Sequence, residues 1–149
     1  MLKSDIVIKQ ITAQETIPVR HPELRKGRPI EECIFDGDNL FTTFHLGLFL
    51  NNHLIGVATF LENNNPLFQA DQLQLRGMAV LTKYQGKKLG DLLLKKAEEL
   101  AIAKNKSIIW CNARLIAVNF YKRAGYQTIG NSFEIKEVGT HFVMFKEIK

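Results

Sequence analysis

The run Gln85-Gly86-Lys87-Lys88-Leu89-Gly90 sets two glycines four residues apart with two lysines between them, just ahead of a leucine-rich periodic segment. Glycine lets the main chain approach an anion's oxygens where a Cβ would intrude. A helix starting here adds unpaired N–H groups and the positive end of its dipole. The lysines add charge. The chemistry this pattern suits is an anion cradle, with no one nucleotide specified. A Gly-x-x-x-Gly loop taken alone reads equally well as a tight turn. The chain has no Gly-x-x-x-x-Gly-Lys-Ser/Thr and no Gly-x-Gly-x-x-Gly followed by an acid, so a P-loop and a dinucleotide turn are set aside.

The other residues with reactive side chains are few. Cys33 and Cys111 show neither metal spacing nor a Cys-x-x-Cys pair, and the reading is two free thiols with no metal site. Cys111 follows Trp110 in an apolar run, where it packs as a small hydrophobe. A nucleophilic Cys111 would need a basic neighbour, and the local sequence offers none. Basic residues crowd two places, Lys83, Lys87 and Lys88 in one and Arg20, Arg25, Lys26 and Arg28 in the other.

The elements that position these residues follow from periodicity. Ile6-Val7-Ile8 with Ile11 predicts a first short strand. Residues 18–29 hold three prolines and Gly27, so they are irregular or short-helical. Phe41 to Leu50 alternates as a strand with Phe44, Leu46, Leu48 and Leu50 on one face. Asn51-Asn52-His53 turns the chain, and Leu54 to Phe60 is the hairpin partner. Leu73 to Val80 is a further strand, and Gly77 inside it signals a bulge or a close backbone approach. Leu89, Leu92, Leu93, Ala97, Leu100 and Ala101 define the clearest helix, with Asp91 in the first turn where the dipole favours an acid. Ser107 to Cys111 is a buried strand, and Ala117 to Ala124 a short helix stopped by Gly125. Tyr126 to Ile129 and Phe142 to Phe145 close the sheet. The order predicts a mixed α/β (α+β) fold on one sheet.

With 149 residues, 46% hydrophobic and 23% charged, the composition is that of one globular domain, residues 1–149, needing no disulfide. The apolar stretches are too short to span a membrane. The N-terminus reaches Asp5 too early for a signal peptide, which gives a cytoplasmic expectation. The net charge of +5 suits an anionic ligand as well as nucleic acid, but no recognition-helix or RNA-binding signature supports the latter.

The stretch from Leu75 to Gly90 resembles the acetyl-CoA motif of the GNAT superfamily of N-acetyltransferases, Arg/Gln-x-x-Gly-x-Gly/Ala after a strand that ends in a small residue and Val. Gln85 and Gly90 match the ends of the motif, while Lys88 stands where the family has its first glycine. Downstream, Asn112-Ala113 and Ala117-Val118-Asn119-Phe120-Tyr121-Lys122-Arg123-Ala124-Gly125-Tyr126 resemble the family's fifth strand and the helix after it. The two motifs occur in family order, and the resemblance covers the C-terminal half well. It implies a central mixed, mostly antiparallel sheet flanked by helices and splayed between the fourth and fifth strands.

The resemblance also implies roles. Met78, Ala79 and Val80 would line the pantetheine arm, with the Met78 N–H polarising the thioester carbonyl. Gln85, Gly86, Lys87, Lys88, Leu89, Gly90 and Asp91 would hold the pyrophosphate end. Asn112 and Asn119 would meet the arm or order the site. Tyr121 would protonate the departing thiolate, against the alternative of a core aromatic on a helix. The family's strand carboxylate is replaced by Arg76, so the base must lie elsewhere. His141 is the best titratable candidate, with Glu134 and His45 behind it. Arg76 could orient an anionic group of the acceptor, pair with Asp71, or face water. Residues 19–25 with Cys33 and Asp36-Gly37-Asp38 fall where the family binds its acceptor. Arg20 and Arg25 there read either as selectors of an acidic substrate or as solvated surface charge.

The expected reaction is acetyl transfer from acetyl-CoA to a primary amine of a small molecule or peptide, by direct attack in a ternary complex. The expected assembly is a monomer or homodimer, with neither nucleic acid nor membrane as partner. The alternative is a non-catalytic acyl-CoA-binding or sensing module of the same fold.

Overall fold

The computed structural model describes residues 5–149. Its strands are β1 (Ile6–Ile11), β2 (Phe44–Leu50), β3 (His53–Leu61), β4 (Gln72–Val80), β5 (Ile108–Arg114), β6 (Gln127–Ile135) and β7 (Gly139–Glu147). Its α-helices are α1 (Ile17–Leu24), α2 (Leu89–Ala103) and α3 (Val118–Arg123). The sheet order is β1-β2-β3-β4-β5-β7-β6. Among the described residues no helix is long and apolar enough to cross a membrane.

The chain divides into two compact units. The first runs to Glu62 and resumes over Arg76–Ala97; the second holds Asn63–Leu75 and Glu98–Lys149. In the first unit, β1 pairs antiparallel with β2 from Ile6↔Leu50 to Ile11↔His45, and β2 pairs antiparallel with β3. The turn between β2 and β3 puts Asn51 and Asn52 at φ 48 and 67, the left-handed conformation that asparagine tolerates in a tight hairpin. The alternation in β2 predicts one buried face, yet Phe44 through Leu48 are all buried, His45 included. Ile55 through Leu61 of β3 are buried as well. The second face is closed by polar contacts: His45 bonds to Thr59 across the β2–β3 pair and to the loop that carries Asp38. Periodicity has no way to signal this.

The second unit holds the parallel pair. The start of β4 runs beside β5 from Gln72↔Ile108 to Leu75↔Cys111, and that register stops after four pairs. β7 then pairs antiparallel with β5 from Ile108↔Glu147 to Arg114↔His141, and β6 with β7. Side chains alternate across these strands. Ile108 and Trp110 pack on one face with Phe68, Val143 and Phe145. Cys111 and its partner Met144 point to the other, and both are buried.

α2 buries Leu89, Leu93, Leu94, Ala97 and Ala101, close to the expected face with Leu94 added. α1 forms despite its prolines. Pro18 occupies its first turn, where the missing N–H is no loss, and Pro22 lies inside a helix of eight residues. α3 ends at Gly125, which adopts φ 98.

Candidate functional site

In the first unit, the loop between β4 and α2 carries the predicted anion cradle. Leu81 N–H bonds to the Ile55 carbonyl, and residues 82–84 make a single 3-10 turn. Glu23 of α1 fastens that turn. Its carboxylate accepts the Thr82 N–H at 2.9 Å and the Thr82 hydroxyl at 3.0 Å. Gly86 and Lys88 adopt φ 77 and 61. Left-handed residues in a short loop turn successive N–H groups toward one side, the arrangement of an anion-binding nest. Gly86, Lys87 and Lys88 are exposed, and nothing lies within 4 Å of where a Gly86 side chain would begin. The α2 N–H groups follow at once, with Leu89 buried, Gly90 half-buried and Asp91 exposed. An anion has main-chain donors, a dipole end and lysine charge there. Lys83 and Lys87 stand 5.6 and 5.9 Å from the Tyr84 ring centroid, which keeps both cations by the loop.

Lys88, in the family's glycine position, has the backbone conformation that glycine adopts most freely. Gln85 is placed differently from the expectation that it faces a phosphate. Its side-chain amide bonds back to the Val80 carbonyl at 2.8 Å and reaches Glu23 at 3.4 Å, while its N–H closes onto the Thr82 carbonyl. Gln85 ties the loop to the end of β4. Met78, Ala79 and Val80 are half-buried along that strand, beyond Gly77.

Gly77 adopts φ 61 inside β4, the bulge its position in the sequence predicts. A side chain there would come within 3.1 Å of the Phe35 ring and 3.2 Å of Arg20 Nε. Arg20 is therefore not a surface charge. Arg20 is fully buried, and it donates to both Asp38 oxygens (2.5 and 3.2 Å), to Thr59 Oγ1 (2.7 Å) and to the Cys33 carbonyl (2.8 Å). Its charge is spent on Asp38, which corrects its reading as a direct contact for the acceptor. Arg76 meets Asp38 rather than Asp71. Its Nη2 lies 3.5 Å from Asp38 Oδ1 and also donates to the Asp36 carbonyl. Burial alone would raise the Asp38 pKa; the Arg20 hydrogen bonds and the Phe35 N–H outweigh it and hold the carboxyl below its ordinary value. Burial pushes His45 down. Its ring bonds Thr59 Oγ1 at 2.7 Å and the Asp38 carbonyl at 2.9 Å, a structural placement rather than that of an accessible base. Glu23, Asp38 and Thr59 act in this unit without any motif that names them.

In the second unit, α3 turns Tyr121 inward beside Cys111 and Tyr126. The Tyr121 and Tyr126 ring centroids are 5.6 Å apart in an edge-on arrangement. Burial first, then the neighbouring Cys111 and Tyr126, push the Tyr121 phenol well above its ordinary value. Burial pushes the Cys111 thiol up to about 12, so it stays protonated and packs in the core. Asn112 and Asn119 are exposed on β5 and α3. His141 pairs with Arg114 in the β5–β7 register, three residues from Cys111. An odd offset puts His141 on the face of β5 opposite Cys111 and Tyr121. There it is buried, with Nδ1 2.8 Å from the Gly139 carbonyl and its ring 5.8 Å from Phe133. A single pair formed by Tyr121 as acid and His141 as base is therefore not how this unit is built. Glu134 accepts the Thr140 hydroxyl at 2.6 Å. Among the described residues, no three His, Cys, Asp or Glu side chains stand where they could hold a metal ion.

A seven-stranded mixed sheet with one parallel β4–β5 pair, a bulged fourth strand and a glycine–lysine loop feeding α2 defines an acetyltransferase-like chain. The sequence pattern of the acetyltransferase (GNAT) family matches residues 8–126, and the chain belongs to that family. It is 36% identical over 143 residues to YitI of Bacillus subtilis (strain 168), an uncharacterized N-acetyltransferase, covering 95% of this chain and 96% of that one. The fold is shared with an aminoglycoside 6'-N-acetyltransferase in complex with coenzyme A, at TM-score 0.77 and 11% identity over 96% of this chain and 97% of that one. It is shared also with the ribosomal-protein-S18-alanine N-acetyltransferase of Escherichia coli, at TM-score 0.75 and 15% identity, covering 97% and 94%.

Proposed function

We propose that the chain, acting as one domain in the cytoplasm, moves an acetyl group from acetyl-CoA to a primary amine within a ternary complex. The observation that carries this reading is the 85–90 loop, whose left-handed Gly86 and Lys88 open a donor-rich nest at the start of α2. Acetyl-CoA supplies the activated acyl group as co-substrate. Gly86 to Gly90 bind its pyrophosphate through main-chain N–H groups, with Lys87 and Lys88 adding charge. Met78, Ala79 and Val80 offer main chain to the pantetheine arm, and the Met78 N–H polarises the thioester carbonyl. Asn112 and Asn119 order the arm. The amine nitrogen forms a bond to the acetyl carbon, the carbon–sulfur bond breaks, and the sulfur leaves with that electron pair.

Tyr121 gives a proton to that sulfur, and the second amine proton, shed by the nitrogen as the amide forms, restores the phenol. An ordinary thiolate is a weaker base than a phenolate, and the raised pKa of Tyr121 widens the gap. The surroundings of Tyr121 narrow that gap, since burial pushes the neighbouring Cys111 thiol up to about 12. A thiolate released in such surroundings is far more basic than one in water. The amine's own proton leaves before attack, and with Arg76 on the strand and His45 and His141 buried, it passes to solvent.

The same lack of a carboxylate base favours a second reading, a non-catalytic acyl-CoA sensor. A panel of amines with acetyl-CoA, read by thiol release beside a thermal shift with acetyl-CoA, separates the two. Release with any amine supports the enzyme. A shift without release supports the sensor, and neither signal overturns the cofactor assignment.

A further inference from the structure

Phe35 carries an unusual load of positive charge. The guanidinium carbons of Arg20, Arg25 and Arg76 stand 4.1, 4.7 and 5.6 Å from its ring centroid. Arginine stacks well on an aromatic face, but like charges gathered on one ring repel unless an anion balances them. Asp38 is the carboxylate that meets two of them. Its oxygens also accept the Phe35 N–H at 2.7 Å, so their capacity is taken up by Arg20, Phe35 and the longer contact to Arg76. One carboxylate is thus shared by two guanidinium groups. The Nε atoms of Arg20 and Arg76 are buried without a hydrogen-bond partner, so a further anion would be met by the outer nitrogens of Arg76. Arg20 is sealed inside, whereas the Arg76 side chain keeps 24% of its surface open.

Arg76 lies on β4 two residues before Met78, with the left-handed Gly77 between them. An acceptor that offers its amine to a thioester held at Met78 and an anionic group to Arg76 carries both groups on one small frame.

We propose that Arg76 binds a carboxylate of the acceptor, making the substrate class an anionic amine such as an amino acid or a short peptide. Arg20 and Asp38 are positioning residues that hold Arg76 against Phe35. This rests on the acetyl-transfer reading above, and the test keeps the two apart.

The purified full chain is given acetyl-CoA and a panel of L-amino acids and dipeptides, each beside its carboxamide. Thiol release gives kcat/KM, and calorimetry on the CoA-loaded protein gives acceptor binding without turnover. The expected result is at least a ~10-fold preference for the carboxylate forms, as a charge-assisted hydrogen bond provides. In Arg76→Gln the preference falls to near unity, and in Arg76→Lys it falls partway. In both variants acetyl-CoA binding holds, which also reports that they are folded. Carboxamides used as well as carboxylates, or a preference that survives Arg76→Gln, overturns the proposal while thiol release leaves acetyl transfer standing. If no acceptor turns over, calorimetry decides: carboxylates that bind no better than carboxamides overturn it too.

Discussion

Tyr121 keeps its proton through the whole range in which an amine can be acetylated, because burial holds its phenol well above 10. A group that never ionises in that range leaves no alkaline limb in the rate profile. Tyr121→Phe is therefore expected to lower kcat by about 10²- to 10⁴-fold, the usual worth of a positioned acid. Acetyl-CoA affinity should hold and the pH profile keep its shape; a variant with full turnover would show Tyr121 to be core packing alone. Asp38 carries the opposite sign. Its folded pKa lies below its unfolded value of about 3.9. The unfolded chain therefore binds the extra proton first, and the stabilisation present at neutral pH is lost as pH falls below about 4. Asp38→Asn should flatten that limb of a denaturation-versus-pH series. Asp38→Ala strands the buried Arg20 and should destabilise the fold by about 3–5 kcal/mol, read by urea unfolding.

The elements differ in how much their sequences disclose. α2 was readable, because Leu89, Leu93, Ala97 and Ala101 repeat on one stripe and Asp91 marks its first turn; it runs two residues past that stripe, to Ala103. α1 was legible only as one of two alternatives, irregular or short-helical, because Pro18 and Pro22 leave a helix there to be decided by tertiary contacts. The bulge in β4 was legible from Gly77 alone. What it makes room for, the Phe35 ring and the Arg20 guanidinium, was not, since partners 42 and 57 residues away in sequence leave no local trace. Gly77→Ala should destabilise by about 1–3 kcal/mol through the left-handed backbone and the crowding of Phe35, measured as a drop in Tm. The loop makes a complementary case. Lys88 already holds the glycine conformation at φ 61, so Lys88→Gly removes charge without reshaping the nest. Calorimetry should show acetyl-CoA binding weakened by about two- to five-fold. Tighter binding would instead mark the lysine as a tolerated obstruction.

For the molecule as a whole, the net charge of +5 proved less informative than its division. The lysines by Tyr84 stay at the loop, as their crowding suggests. The arginines that crowd residues 20–28 part company: Arg20 enters the core, Arg25 stacks on Phe35, and Arg28 pairs with Glu32 at the surface. Composition cannot separate a buried cation from a solvated one, because that depends on an acid such as Asp38 arriving from elsewhere in the chain. The motifs survived better, since a left-handed loop and a helix stop are written in consecutive residues. Candidate acids and bases were legible by type, but not by face, which is why His141 falls on the side of β5 away from Tyr121.

Trp110 is the chain's single tryptophan. It is buried on β5, and its indole N–H bonds to the Asn63 carbonyl at 3.0 Å. Every contact described for it belongs to the second unit, so its fluorescence is a lamp set in one part of the chain. Far-ultraviolet dichroism, by contrast, averages over every helix and strand. A chain that melts as one cooperative body should give the same midpoint by both signals, and that coincidence is the expected outcome. An emission shift that precedes or lags the dichroism would reveal a partly melted species with the lamp-bearing unit either lost or still intact.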